Sequence, residues 1–365
     1  MRCEIDRGIL ADMLAVVVNT LPSRTTYPVL QNVMLEVAGG KLAVSGTDLD
    51  SYVRKEFALT GKFEEGKAVL PGRKLMEMVR ELGEANVLFF SKDSNVHVEA
   101  GNSKAVFAGL DPAEFPEMPK LPEGTPLEFP IATITELFDA VSFAVSRDES
   151  RPAMGGVDWE VSKSAMKMVA TDGHRLSFVR RKGKFPATFK LIVSPKALAL
   201  LPREQDVVKV YSDPGKIGLV TQDTMVIGRP IEGPYPDYER VIPQKDYPFK
   251  AIVKHDAFVA VLRRAAIFAH PVGKLVALDF KKDKVIIQAE TPEIGSSEEE
   301  LICEYNGEPV RIGFNAGYLL EIFRHLNSEK VVIELQNPLS AGLLKPLEKK
   351  PEYDETFLLM PIRLD

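Results

Sequence analysis

The chain repeats itself at a nearly fixed spacing. Adding 124 and then a further 120 to positions in its first third lands on residues of the same kind. In a first amphipathic helix the shifts connect Leu14, Phe138 and Phe258, and likewise Val17, Val141 and Val261. In a strand they connect Leu42, Met166 and Ile286, with Thr47, Thr171 and Thr291 at its end. In a second helix they connect Pro71, Pro195 and Asn315 at the start and Met76, Leu200 and Leu320 within. A register kept over two helices and a strand marks a repeated unit, so the fold must use one design three times.

Two proline-dense segments separate the repeats. Residues 111–130 carry Pro112, Pro116, Pro119, Pro122, Pro126 and Pro130, and residues 230–248 carry Pro230, Pro234, Pro236, Pro243 and Pro248. Proline removes a backbone donor and cannot continue a helix or a central strand. The expected domains are 1–124, 125–247 and 248–365. The first opens with a short strand, helical spacing then covers residues 7–21, ended by Pro22, and extended runs cover 29–37, 41–47 and 51–59. Pro71 is placed at the first position of a second helix, with Leu75, Met76, Val79 and Leu82 on one face. Runs at 86–90, 95–99 and 104–108 follow, so the pattern is helix, three strands, helix, three strands. In the second repeat Pro202 should end the second helix about a turn early.

Between the two proline-dense segments, near the middle of the chain, sits the most distinctive stretch. Ala170-Thr171-Asp172-Gly173-His174-Arg175-Leu176 follows an alternating run at 164–169 and precedes another extended run. Asp-Gly supplies a tight turn, because Gly takes φ > 0 freely and Asp bonds its own backbone. A Thr, a His and an Arg are thereby displayed where two strands meet.

Composition narrows the function. The net charge of −6 argues against wholesale coating of nucleic acid, though not against a local basic surface. Cys3 and Cys303, far apart, imply a reducing compartment without disulfides. The charged N-terminus does not read as a signal peptide, and no apolar run approaches the roughly 20 residues that span a bilayer. The expected location is the cytoplasm. The five histidines show no metal-ligand spacing, and neither metal nor cofactor is expected. Residues 61–67 match most of a phosphate-binding loop, but Ala68 stands where Ser or Thr should hold magnesium and Pro71 blocks the helix, so a strand-to-strand loop is expected. Asp48 and Asp50 could pair, but Asp48 fits the turn after Thr47 better. His174 could be a general base, yet no nucleophile or orienting partner is evident in the sequence.

Basic residues concentrate on the second helices: Arg73, Lys74 and Arg80, then Lys196 and Arg203, then Arg324. Arg73 with Arg80, and Lys196 with Arg203 if that helix extends so far, share a face. Acidic residues gather elsewhere, as at Glu298-Glu299-Glu300. Residues 357–365 are apolar for a chain end, which implies a buried last strand or part of a binding groove. The segment 348–355 before them reads as an exposed loop.

Taken together, several stretches resemble the bacterial DNA polymerase III beta subunit family of replication sliding clamps. They include Ala170–Leu176, Pro28-Val29-Leu30, Gly46-Thr47-Asp48-Leu49, Arg73-Lys74 and Glu114-Phe115-Pro116. Tyr235-Pro236-Asp237-Tyr238, Arg240-Val241-Ile242-Pro243, Ile312-Gly313-Phe314-Asn315 and Met360-Pro361-Ile362-Arg363-Leu364 complete the set. They run in order along essentially the whole chain.

The resemblance implies an α+β fold of three similar domains, each two helix-plus-antiparallel-sheet units (the DNA clamp fold), closing as a ring-shaped head-to-tail homodimer. Such a ring encircles double-stranded DNA without reading sequence. It tethers the DNA polymerase III catalytic subunit, the clamp loader and other polymerases or repair proteins through a peptide pocket, and is no enzyme. By motif, the pocket includes Met154, Thr171, Gly173, His174, Arg175, Leu176, Pro243, Asn315, Tyr318, Met360, Pro361, Ile362, Arg363 and Leu364. DNA contacts fall to Arg24, Arg73, Lys74, Arg80, Arg147, Lys196 and Arg203. The dimer interface takes Lys104 and Phe107 on one chain against Ile267, Phe268 and the acidic run near Glu300 on the other. Asp365 extends the usual Arg-Leu end, Met154 and Ala341 depart from commoner family choices, and Thr291-Pro292-Glu293 replaces the Thr-Asp-Gly-His-Arg pattern in the third repeat, so one pocket per chain is expected. The alternatives are a monomeric β-rich peptide-binding scaffold and a hydrolase or transferase using His174.

Overall fold

The computed structural model describes residues 1–83, 86–92, 94–185, 188–243, 247–348 and 352–364. Asp365 and residues 349–351 of the expected loop lie outside the described residues. The elements come in one order three times. The first set is β1 (Arg2–Asp6), α1 (Arg7–Val18), β2 (Asn32–Ala38), β3 (Lys41–Thr47), β4 (Ser51–Ala58), β5 (Gly66–Pro71), α2 (Gly72–Glu81), β6 (Asn86–Lys92), β7 (Asn95–Ala100) and β8 (Ser103–Ala108). The second is β9 (Leu127–Pro130), α3 (Ile131–Val141), β10 (Val157–Val161), β11 (Ala165–Thr171), β12 (Arg175–Lys182), β13 (Phe189–Val193), α4 (Pro195–Ala199), β14 (Val207–Asp213), β15 (Lys216–Val220) and β16 (Thr224–Gly228). The third is β17 (Phe249–Lys254), α5 (His255–Ala266), β18 (Leu275–Lys281), β19 (Lys284–Thr291), β20 (Gly295–Ile302), β21 (Val310–Asn315), α6 (Ala316–His325), β22 (Lys330–Leu335), β23 (Gly342–Pro346) and β24 (Tyr353–Leu359).

The short strand expected before the first helix is β1, and β9 and β17 repeat it. Several expectations need correction. A fourth strand (β5, β13, β21) precedes each second helix. The run at 29–37 begins as a 3-10 turn, Pro28–Gln31, whose end is fixed by Asn32 Nδ2 donating to the carbonyls of Pro28 and Val29. Pro71 ends β5 and occupies the N-cap of α2 instead of its first helical position. Tyr353 to Glu355, expected in a loop, begin β24. The phosphate-loop candidate at 61–67 runs from the β4 end into β5 and meets no helix N-terminus, as its sequence implied.

The repeat register also slips, by one residue at the second helix, where Pro195 is the first helical residue but Pro71 and Asn315 are N-caps, and by more at the first. Leu14 and Phe138 are the eighth residues of α1 and α3, whereas Phe258 is the fourth of α5 and Leu262 the eighth. The spacing between second and third repeats is therefore 124 at the first helix, 120 at the strand-end threonines Thr171 and Thr291, and 121 at the second-helix N-caps Ser194 and Asn315. A four-residue slip is close to one helical turn, so apolar positions still coincided and hid the shortening. The strand-end threonines keep their register: Thr47, Thr171 and Thr291 are all buried at the ends of β3, β11 and β19.

The chain divides into two compact units, residues 1–135 with 193–230, and residues 136–192 with 231–365. The first holds a four-stranded sheet, β1-β6-β7-β8, and an eight-stranded sheet, β5-β2-β3-β4-β16-β15-β14-β9. The second holds an eight-stranded sheet, β13-β10-β11-β12-β24-β23-β22-β17, and a four-stranded sheet, β20-β19-β18-β21. Every pairing described is antiparallel. Each eight-stranded sheet joins strands of two successive repeats, β4 to β16 and β12 to β24. That is why compactness cuts through the middle repeat.

In each unit helices cover one sheet face. In the second, α5 buries Phe258, Val261, Leu262 and Ala265, and α6 buries Leu319, Ile322 and Phe323, against Ile287, Phe314 and Phe357. Strands β11, β12 and β24 are buried in consecutive residues because their other face is covered too. Pro202 has the expected effect: α4 spans five residues against ten in α2 and α6. Arg203 lies beyond it, so Lys196 and Arg203 share no helical face. Among the described residues no helix is long and apolar enough to cross a membrane.

Asp158 on β10 is fully buried, and burial pushes its carboxyl from 3.8 to about 6, with Lys190 Nζ at 3.3 Å opposing the rise. The folded protein holds this proton more tightly than the unfolded chain. Ionisation therefore costs stability as pH rises from about 4 to about 6, on the order of 2 kcal/mol, and the cost persists above that. Asp158→Asn should raise the thermal unfolding midpoint by a few degrees at pH 8 and leave it nearly unchanged at pH 4, as read by circular dichroism.

Candidate functional site

The turn between β11 and β12 is built by two side chains. Thr171 Oγ1 donates to the Arg175 carbonyl at 2.7 Å and accepts from Gly173 N at 3.1 Å. Asp172 Oδ1 accepts from His174 N and Arg175 N, both at 2.9 Å. Gly173 sits at φ 88°, and a Cβ there would meet Arg151 Nη1 at 3.1 Å.

The turn between β3 and β4 is its copy. Thr47 Oγ1 donates to the Ser51 carbonyl at 2.9 Å and accepts from Leu49 N at 2.8 Å. Asp48 Oδ1 accepts from Asp50 N at 3.2 Å and Ser51 N at 2.7 Å. Leu49 takes φ 80°. Thr-Asp is thus a folding device common to both turns, and Asp48 serves the turn as its sequence implied. What distinguishes the second turn is Gly173-His174-Arg175 in place of Leu49-Asp50-Ser51.

Arg175 is 7% exposed and donates from all three guanidinium nitrogens. Nε reaches Asp172 Oδ2 at 3.1 Å, Nη1 reaches Glu321 Oε2 at 2.6 Å, and Nη2 reaches the Phe143 carbonyl at 2.7 Å. The group lies 4.5 Å from the Tyr318 ring centroid and 5.1 Å from that of Phe143. A buried cation costs several kcal/mol unless paired and hydrogen-bonded, and here it is both. The exposed His174 stacks with Tyr318, centroids 6.3 Å apart and planes 22° apart. Tyr318 is placed by Asn315, the N-cap of α6, whose Oδ1 accepts from Tyr318 N at 3.1 Å.

Beside this wall lies an apolar floor. Leu176, Leu358 and Leu343 stand opposite one another across β12, β24 and β23 and join Val169 and Tyr238 in one cluster. Tyr235, Ile242, Tyr247, Phe178 and Ala341 pack against it. Of these, Leu176 was expected at the pocket, whereas Val169, Phe178, Leu343 and Leu358 were not singled out as its lining from sequence. The signal available was the consecutive apolar run of β24, which marks a strand buried on both faces. Met154, buried in a 3-10 turn, would lie 3.6 Å from a Gly173 Cβ. Pro243 directly follows Ile242 and is half-buried.

The tail runs along the wall. Met360 N donates to the His174 carbonyl and Ile362 N to the Gly313 carbonyl, both at 2.8 Å. Met360 is 41% exposed, Pro361, Ile362 and Leu364 are half-buried, and Arg363 is exposed. A Cβ on Gly313 would stand 2.6 Å from the Ile362 carbonyl oxygen, so the tail approaches only because residue 313 has no side chain. The largest cavity described, about 970 Å³, lies elsewhere, along Lys250, Ile252, Ile302 and Lys330.

The other expected residues distribute as follows. In the first unit Arg24, Arg73, Lys74 and Arg80 are exposed. Arg73 Nη2 donates to the Leu21 carbonyl at 2.8 Å and Lys74 Nζ to Glu77 at 2.6 Å. Lys196 is engaged within the fold, with Nζ donating to the Thr20 carbonyl at 2.6 Å and to Asp48 Oδ2. Arg203 is exposed in the first unit and Arg147 in the second. Lys104 and Phe107 lie on β8, at one edge of its sheet, and Glu300 on β20, at an edge of another. Ile267 is 66% exposed beside the partly buried Phe268. Among the described residues no group of three or more His, Cys, Asp or Glu side chains is placed to hold a metal ion.

Gly313→Ala should detach the tail, removing a hydrogen bond of about 1 kcal/mol and its packing. Carboxypeptidase trimming of residues 360–364 should accelerate several-fold while the thermal midpoint changes little.

Comparison with known proteins identifies the family. Residues 1–119, 128–237 and 239–363 match family models described as the N-terminal, central and C-terminal domains of the DNA polymerase III beta subunit. The chain is 28% identical over 371 residues to the beta sliding clamp of Pseudomonas putida strain KT2440, covering 100% of both chains. It is 29% identical over 371 residues to the beta sliding clamp of Escherichia coli K12, again with 100% of both covered. Its fold is similar to the crystal structure of the DNA polymerase sliding clamp from Pseudomonas aeruginosa, with a TM-score of 0.91, 29% identity and 100% of both chains covered.

Proposed function

Because this chain belongs to the DNA polymerase III beta subunit family, we infer that it is a DNA sliding clamp, a processivity factor that works by encircling duplex DNA. The observation that carries this is the match of all three family domains, in order, to a chain whose elements also recur three times. We assign the domains as 1–124, 125–247 and 248–365, and the location as the cytoplasm.

The ring is a head-to-tail homodimer. Internal junctions are made by antiparallel strand pairing, and the same pairing between chains would join β8 to β20 of a second copy. Exposed sheet edges invite such addition. The internal junctions also give its register. Tracing each ladder from the residue before the first helix (Asp6, Pro130, Lys254) through three strands reaches Asn102, Asp223 and Asp354. Asp223 faces Glu56 and Asp354 faces Arg180, which are 124 apart. The next equivalent is Glu300. Asn102 then stands opposite the second copy's Glu300, Lys104 opposite its Glu298, and Phe107 opposite its Gly295, beside Phe268. Under oxidation, Lys104→Cys with Glu298→Cys should give a disulfide-linked dimer. Lys104→Cys with Glu299→Cys should not, because a one-residue shift turns the side chain to the other face.

DNA is held loosely. Arg24, Arg73, Lys74, Arg80, Arg147 and Arg203 supply sequence-independent attraction to phosphates. Lys196, already bonded to Asp48 and Thr20, contributes least. Partners dock short apolar peptides at the β11–β12 turn. Leu176, Met154, Pro243 and the Met360–Leu364 tail give apolar surface, and Thr171, Gly173, His174, Asn315 and Tyr318 shape the wall. These partners are the polymerase catalytic subunit, the clamp loader and other polymerases or repair proteins. The protein has no catalytic role: the His174 backbone belongs to the turn and its ring stacks on Tyr318.

The test is topological. Loaded onto nicked circular DNA by a cognate loader, the protein should remain through gel filtration and be lost within minutes once the circle is cut. Equal retention on both forms would contradict encirclement.

A further inference from the structure

We propose that Glu321 and Phe143 are positioning residues for the peptide surface, acting through Arg175. The inference rests on the peptide-docking reading above and changes the part Arg175 plays in it. With each guanidinium nitrogen already donating within the fold and aromatic rings at 4.5 and 5.1 Å, three of the five N–H groups of Arg175 are committed to internal acceptors, and its main part is structural. It ties together three elements: the β11–β12 turn through Asp172, the 3-10 turn Ser142–Ala144 through the Phe143 carbonyl, and α6 through Glu321. Tyr318 and Glu321 are three apart on α6 and so lie on one side of it. The tie therefore fixes Tyr318 relative to His174, and the His174 carbonyl in turn holds Met360.

The same link recurs at the other junction with its charges reversed. There the turn supplies the carboxylate, Asp48, and the second helix of the next repeat supplies the cation, Lys196. At the β11–β12 turn the strand supplies the cation and the second helix of the next repeat supplies Glu321. Two chemically different solutions to one linkage mark it as a device for setting turn against helix. Arginine is required at the second, because one lysine ammonium cannot lie flat between two rings and reach three acceptors in a plane.

Glu321→Ala separates this from direct recognition, since it leaves Arg175 and the apolar floor in place. The probe is a fluorescein-labelled, amidated pentapeptide with two leucine anchors, read by anisotropy on the full-length protein. Glu321→Ala should weaken binding about tenfold. The loss should be equal for peptides with and without a carboxylate, and absent when added to Arg175→Lys. Hydrogen exchange should rise at the amides of Gly173, His174, Arg175 and Met360 and not across β18–β19, which a general loss of stability would also loosen. Unchanged exchange at the turn with affinity within twofold, or a loss confined to carboxylate-bearing peptides, would overturn the proposal. Loosened exchange in Glu321→Ala together with no peptide binding by the unaltered protein would uphold the positioning role and refute the docking reading.

Discussion

Antiparallel pairing across repeat boundaries is the constraint on which the rest depends. A four-strand half-sheet leaves a row of unpaired N–H and C=O groups at its edge, and burying that edge unpaired would be costly. The chain resolves this twice within itself, with β4 against β16 and β12 against β24. Each pairing brings a turn of one repeat beside the second helix of the next. The polar ties of Asp48 to Lys196 and of Arg175 to Glu321 sit at those two places. The edges of β8 and β20 remain at the ends of their sheets, and the proposed ring pairs them between two copies.

The same design at two junctions separates folding from function. Thr47 and Asp48 make the hydrogen bonds that Thr171 and Asp172 make, so neither pair is evidence of a site. The proposed docking surface lies where the second junction departs from the first. Gly173 replaces Leu49, His174 replaces Asp50, and a tail of apolar residues is pinned across Gly313. The tail and the floor share strand β24, whose alternate residues face the helices and the floor. Both faces of that strand are therefore apolar.

Much of this was legible in the sequence. The triplication, the Asp-Gly turn, the early end of α4 at Pro202 and the buried threonines all follow from local chemistry. The strands before the second helices were not, because a run such as Gly66–Pro71 is short and ends in proline. The slipped register of α5 escaped because four residues nearly equal one helical turn. The inward commitment of Arg175 and Lys196 was also hidden: an arginine on a turn and a lysine on a helix read as surface charges until the acceptors, distant in sequence, are brought to them. The apolar floor drew on Leu176, Leu343 and Leu358, which only strand register unites.

If the open edges of β8 and β20 complete the pattern, two copies close and no more can add. Sedimentation equilibrium at micromolar concentration measures this directly. The account predicts one species of twice the 40.4 kDa chain mass. A persistent single chain, or a series of ever larger species as concentration rises, would contradict it.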